Sequence, residues 1–134
     1  MLDTDACIRF INRSHPKLTE RVIAQRADAF CISIITAAEL RFGVEHSTHR
    51  AKNRERLREF RATIQTVGLD EPAVEAYGTV RAALARKGVL IGPLDLLIAG
   101  HALSLGLTLI TGNVREFGRV RGLAIEDWSQ GLEA

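Results

Sequence analysis

The sequence predicts a single α/β domain, a central parallel sheet of four to five strands with helices on both faces. Three observations carry that expectation. Residues 29–35, AFCISII, and residues 107–111, LTLIT, are short, continuous, β-branched apolar runs of the kind covered on both faces by helices. Helical patterns fall between and around them, so strands alternate with helices along the chain. The 134 residues also contain no repeat, low-complexity tract or Pro/Gly/Ser-rich linker, so residues 1–134 read as one unit around one core.

In chain order, a very short strand at residues 1–3 leads into helical segments at 6–12 and 16–26. After the buried strand at 29–35 comes a helix from Thr36 to about Glu45. An arginine-rich helix fills 50–65, followed by a short strand at 66–69. Asp70 then caps a helix with Pro72 in its first turn and an apolar stripe of Val74, Tyr77, Val80 and Leu84. That helix ends at Arg86-Lys87-Gly88, where cations and glycine belong. The stretch IGPLDLLIAGHA, residues 91–102, has no polar face of any width, so its helix should be buried on nearly all sides, with Ala99 and Gly100 permitting close backbone approach. Gly106 ends it, and the last strands are expected at 107–111 and 123–125. All three prolines stand where helices begin.

Composition excludes several classes. No apolar run approaches the ~18 residues of a membrane span, and the start shows no basic region followed by a hydrophobic one, so a soluble, cytoplasmic protein is expected. Cys7 and Cys31 lie in apolar settings without a C-x-x-C and read as buried thiols, and the histidines do not assemble a zinc pattern. The net charge is only +2, but fifteen of the eighteen cations are arginine, whose planar fork suits phosphate. The run RAKNRERLREFR, residues 50–61, reads either as a solvated helix with internal ion pairs or as a nucleic-acid contact.

The acids carry the functional signal. Asp95 starts an almost wholly apolar helix with no preceding cation nearer than Lys87, so it is either a helix cap or one part of a site completed by other segments. In a parallel sheet, polar groups at the carboxyl ends of strands converge on one crevice. Asp3 and Asp5 follow the first strand, Thr36 and Glu39 the second, and Thr111, Asn113 and Glu116 the LTLIT strand. Each has a local alternative: Asp3 as a cap, Thr36-Ala37-Ala38-Glu39 as a capping box, Glu116 as a surface charge beside Arg115 and Arg119. Jointly, acids from three or four segments on one rim would repel one another unless a cation sat between them, and an all-oxygen set suits magnesium or manganese rather than zinc.

Five pieces, MLDTD, ISIITAAELRFG, IGPLDLLIAGHALSLG, LITGNVREFGRVRGL and IEDW, cover nearly the whole chain in order and spacing. In them the chain resembles the PIN-domain ribonucleases, most closely the VapC toxins of bacterial toxin-antitoxin pairs. The resemblance implies that Asp3, Glu39 and Asp95 are the metal-binding acids, with Thr4 and Thr111 as supporting hydroxyls. Relatives place a fourth acid either at the position of Asn113 or three residues later, which selects Glu116 here with Asn113 as its neutral neighbour. Asp5 stands where the toxins usually carry Asn, which adds one negative charge near the rim.

The expected function is therefore a Mg2+-dependent endoribonuclease, with Mn2+ able to substitute, acting as the toxin of such a pair. Asp3, Glu39, Asp95 and Glu116 are the expected catalytic and metal-binding residues. Arg41 and Arg115, nearest the acids in sequence, are the candidates for flanking phosphates. The resemblance further implies a homodimer, a cognate VapB-like antitoxin and a transfer or ribosomal RNA substrate. Two other classes stay open: a catalytically silent RNA-binding or interaction module, and a phosphatase using Asp3 of D-x-D as nucleophile, which lacks a lysine at a later strand end.

Overall fold

The structure, a computed structural model, describes residues 1–129. Its helices are α1 (Thr4–Ile11), α2 (Pro16–Ala24), α3 (Ile34–His46), α4 (Arg50–Thr63), α5 (Glu71–Arg86), α6 (Pro93–Leu105) and α7 (Val114–Phe117). Its strands are β1 (Cys31–Ser33), β2 (Gln65–Val67), β3 (Leu109–Ile110) and β4 (Ile125–Glu126). β1 pairs with β2 and β3 with β4, both in parallel. The amino-terminal segment lies between the two pairs. The Leu2 amide donates to the Cys31 carbonyl at 3.0 Å, while the Ile110 amide donates to the Met1 carbonyl at 2.8 Å and the Asp3 amide to the Ile110 carbonyl at 3.0 Å. The described residues thus form two parallel pairs that the amino-terminal segment joins through Leu2.

Side-chain alternation along these short strands builds two cores. Leu2, Ile32 and Ile110 face the layer made by α1 to α4, where they join Leu18, Leu40, Leu57 and Phe60. Their neighbours Met1, Cys31 and Leu109 face the opposite layer, with Val80, Leu84, Leu96 and Phe117. Helices therefore cover both faces, as the two continuous apolar runs require.

Several boundaries differ from the sequence expectation. The run at 29–35 is a strand only at Cys31–Ser33, because Ala27–Ala29 form a 3-10 turn and the Ser33 hydroxyl accepts from the Ile35 amide, starting α3 two residues before Thr36. The capping box at Thr36 to Glu39 is consequently not formed. Of the predicted stripe on α5, Val80 and Leu84 are buried and Tyr77 packs against them, whereas Val74 is 54% exposed and Ala73 is buried in its place. Asp70 caps α5 through the Ala73 amide as expected. In α6, residues Ile98 to Ala102 are all buried. A Cβ on Gly100 would lie 2.7 Å from the Tyr77 nitrogen, so α5 and α6 meet backbone to backbone there. Cys7 and Cys31 are free and buried.

Candidate active site

Because the paired strands run parallel, their carboxyl ends open on one rim, and the predicted acids gather there. Asp3 follows Leu2 and is 3% exposed. One carboxylate oxygen accepts from the Ala6 amide at 2.8 Å, so Asp3 does cap α1. The other accepts from the Thr111 hydroxyl at 2.5 Å, across 108 residues of sequence. Capping and site membership use different oxygens of one side chain. Thr111 in turn accepts from the Asn113 amide at 2.9 Å, which sets the turn leading into α7.

Glu39 lies one turn and a half into α3 and takes the Thr4 hydroxyl at 2.6 Å instead of reaching back to the Thr36 amide. The Thr4 hydroxyl also lies 3.2 Å from that of Thr36. Glu116 accepts from the Asn113 side-chain amide at 3.0 Å, while Arg119 turns away to the Val89 and Leu90 carbonyls at 3.4 and 3.3 Å. The surface ion pair offered as the alternative for Glu116 is therefore not made with Arg119. Asp95 is the third residue of α6, and Gly92 occupies the cap position without a side-chain bond, so Asp95 is not the helix cap. Among the described residues it has no hydrogen bond or ion pair.

The electrostatics bind the set together. Burial pushes the Asp3 carboxyl up to about 6, against the opposing bonds from Thr111 and the Ala6 amide, with Asp5 and Asp95 raising it further. Asp95 is also held above the usual carboxylate range, first by burial and then by the negative charges of Glu39, Glu116 and Asp5. Four carboxylates from four segments thus feel one another. Among the described residues none of Asp3, Glu39, Asp95 and Glu116 is ion-paired.

Arg41 is paired with Glu45 at 3.1 Å and Arg115 is exposed in α7. Asp5 is paired with Arg9 at 3.0 Å. Sequence reasoning missed Arg9, Ser33 and His101. His101, buried in the middle of α6, lies with Nδ1 2.8 Å from the Ser33 hydroxyl oxygen, tying the helix that carries Asp95 to the start of the helix that carries Glu39. As the lone polar residue between Ile98 and Ala102 it was the visible signal for such a tie.

The donor set tests well against a hard divalent cation, since it is all oxygen and lacks a neutralising charge. No three His, Cys, Asp or Glu side chains among the described residues converge closely enough to enclose one ion. Magnesium does not demand that, because it retains several waters and takes only one or two carboxylates directly.

A parallel α/β core with acids that have no ion partner at its strand ends presents an all-oxygen donor set of the kind that suits a hard divalent cation. The chain belongs to the PIN-domain family, whose model matches residues 1–123, and within it to the VapC proteins. It is 41% identical to the tRNA(fMet)-specific endonuclease VapC of Salmonella typhimurium over 128 residues, 96% of each chain, and 42% identical to that of Shigella flexneri over 129 residues, covering 96% of this chain and 97% of that one. Among solved structures, DNA-bound VapBC from Salmonella typhimurium superimposes with a TM-score of 0.90 at 41% identity over 96% of each chain. VapBC2 from Rickettsia felis, bound to a promoter fragment, gives 0.88 at 34% identity over 96% of this chain and 97% of that one. PIN-domain ribonucleases are generally metal-dependent.

Proposed function

We propose that this protein is a Mg2+-dependent endoribonuclease, the toxin of a two-component pair, that cuts structured RNA with Asp3, Glu39, Asp95 and Glu116 as its working acids. The observation that carries the reading is Asp95: half-buried, unpaired and raised in pKa first by burial and then by acids from three other segments, Glu39, Glu116 and Asp5. Mn2+ fits the same oxygen donors. When bound, the cation supplies Lewis acidity toward the scissile phosphate and makes attacking water sufficiently acidic near neutral pH.

The chain's own residues organise that chemistry. Thr111 and the Ala6 amide fix both oxygens of Asp3, Thr4 orients Glu39, and Asn113 orients Glu116, so three of the four acids hold their directions before substrate arrives. Asp95 is the acid left free to follow the substrate. No nucleophilic side chain is required, and water attack leaves 5'-phosphate ends. The VapC relatives are named as endonucleases of tRNA(fMet), and a transfer RNA is the substrate class proposed here, with ribosomal RNA the second candidate. The VapBC neighbours support a VapB-like antitoxin as partner. We place the protein in the cytoplasm as a homodimer; no helix among the described residues is long and apolar enough to cross a membrane.

The test is cleavage of transfer RNA by the purified, antitoxin-free protein, with and without excess EDTA. Cleavage restored by magnesium and lost in Asp95→Asn is the expected result. Undiminished cutting in EDTA overturns the metal mechanism.

A further inference from the structure

Asp5 and Arg9 stand one helical turn apart on α1, with Arg9 Nε 3.0 Å from Asp5 Oδ2. The pair does not merely decorate the surface. Arg9 is only 30% exposed, and both side chains lie over the turn that follows β3. A Cβ on Gly112 would fall 3.0 Å from Arg9 Nη1 and 3.4 Å from Asp5 Oδ2, so the backbone at Gly112 packs directly under the pair. Gly112 separates Thr111, whose hydroxyl holds Asp3, from Asn113, whose amide holds Glu116. We propose that Asp5 is not a member of the metal-binding acid set, and that the Asp5–Arg9 pair is a positioning unit. It cancels the extra carboxylate at the rim and backs the Thr111-Gly112-Asn113 turn.

This inference rests on the reading of the four acids as a divalent-cation site. The charge at Asp5 reaches Asp3 and Asp95, which shows that it lies within electrostatic range of the rim. Arg9 is the countercharge that keeps that field from being felt in full. A partly exposed ion pair four residues apart on one helix contributes little to stability, so folding alone gives little reason for it. The consequence falls on cation affinity: removing Arg9 adds an unbalanced negative charge beside the acids, and removing the charge of Asp5 adds an unbalanced positive one.

The experiment is calorimetric titration of the full chain with Mn2+, and separately with Mg2+, at low ionic strength, for wild type, Arg9→Met, Asp5→Asn, the double variant and Arg9→Lys. Arg9→Met should lower the half-saturating cation concentration and Asp5→Asn should raise it, each by about threefold or more, the range expected for one partly screened charge near a divalent ion. The double variant should return to within about twofold of wild type, and Arg9→Lys should match wild type because it keeps the charge. With the turn released, Arg9→Met should also cut RNA more slowly at saturating magnesium although it holds the cation more tightly, a divergence that a purely structural defect does not produce. Asp95→Asn separates the two levels of the argument. If wild type binds cation and Asp95→Asn does not, while both single variants are unshifted or shift in the same direction, the positioning role is overturned and the metal site stands. If wild type binds no divalent cation, the metal-site reading fails and this inference falls with it.

Discussion

Asp3 is almost wholly buried, yet its carboxylate keeps two hydrogen bonds and no cation. In the folded, metal-free chain it titrates near 6, against about 3.9 when unfolded. Between those values the folded state binds more protons than the unfolded one, so stability is full below about pH 4, falls as pH rises to about 6 and stays reduced above it. Two pK units correspond to about 3 kcal/mol at most. Asp3→Asn keeps the cap and removes the titration. Its metal-free melting temperature should therefore vary less than wild type's between pH 4 and 7 and equal or exceed it at pH 7, whereas magnesium should raise only the wild-type value. Parallel pH profiles for the two proteins would show that Asp3 does not carry this penalty. The same residue shows what its neighbourhood concealed. MLDTD reads equally as a cap or as a ligand, and Asp3 is a cap through one oxygen while the other faces Thr111.

At the scale of elements, α5 and α6 make the most extensive contact between elements among the described residues, and α6 carries Asp95. Gly100 makes the contact possible, because its missing Cβ would meet Tyr77 N at 2.7 Å and Tyr77 Cα at 2.8 Å, both backbone atoms that cannot swing aside. Gly100→Ala should force the helices apart and cost about 1–3 kcal/mol, read as a lower urea midpoint at unchanged slope. Gly78→Ala is the contrast on α5: nothing lies within 4 Å of its Cβ, so the substitution should stabilise by roughly 0.5–1 kcal/mol through helix propensity. Equal effects at the two positions would dissolve the argument from close approach. The apolar monotony of residues 94–105 already indicated this burial, whereas the ends of β1 were not legible. A β-branched run such as AFCISII favours strand throughout, but the Ser33 cap and the packing of Ala37, Leu40 and Val44 draw Ile34 and Ile35 into α3.

Over the described residues, the cations in ion pairs are engaged by acids other than the four at the rim. Arg54 pairs with Glu45 and Arg58 with Glu55 on the outer side of α4, which favours the solvated-helix reading for much of that run. Among the described residues only Asp5 of the rim is ion-paired, with Arg9, so Asp3, Glu39, Asp95 and Glu116 keep their charge uncompensated and offer an inhibitory partner an electrostatic entry point. Induction of the chain alone in bacteria should arrest growth, and co-expression of a small protein from the adjacent gene should restore it, with the Asp95→Asn form harmless in both settings. Normal growth with the wild-type protein accumulating in soluble form would remove the toxin assignment.

Residue type and order alone determined the α/β class, the buried character of α6, the Asp70 cap, and the acids and hydroxyls at the strand ends, because periodicity and side-chain chemistry are local properties. Tertiary structure decided the rest. That Thr111 rather than solvent meets Asp3, that Thr4 rather than the Thr36 amide meets Glu39, that Arg119 leaves Glu116 to Asn113, and that Arg9 neutralises Asp5 are choices among partners. Two of those partners lie three and four residues away and two lie 35 and 108 residues away. A carboxylate takes whichever donor the packing of strands and helices brings within about 3 Å, and that distance is set by the two cores on either side of the strands.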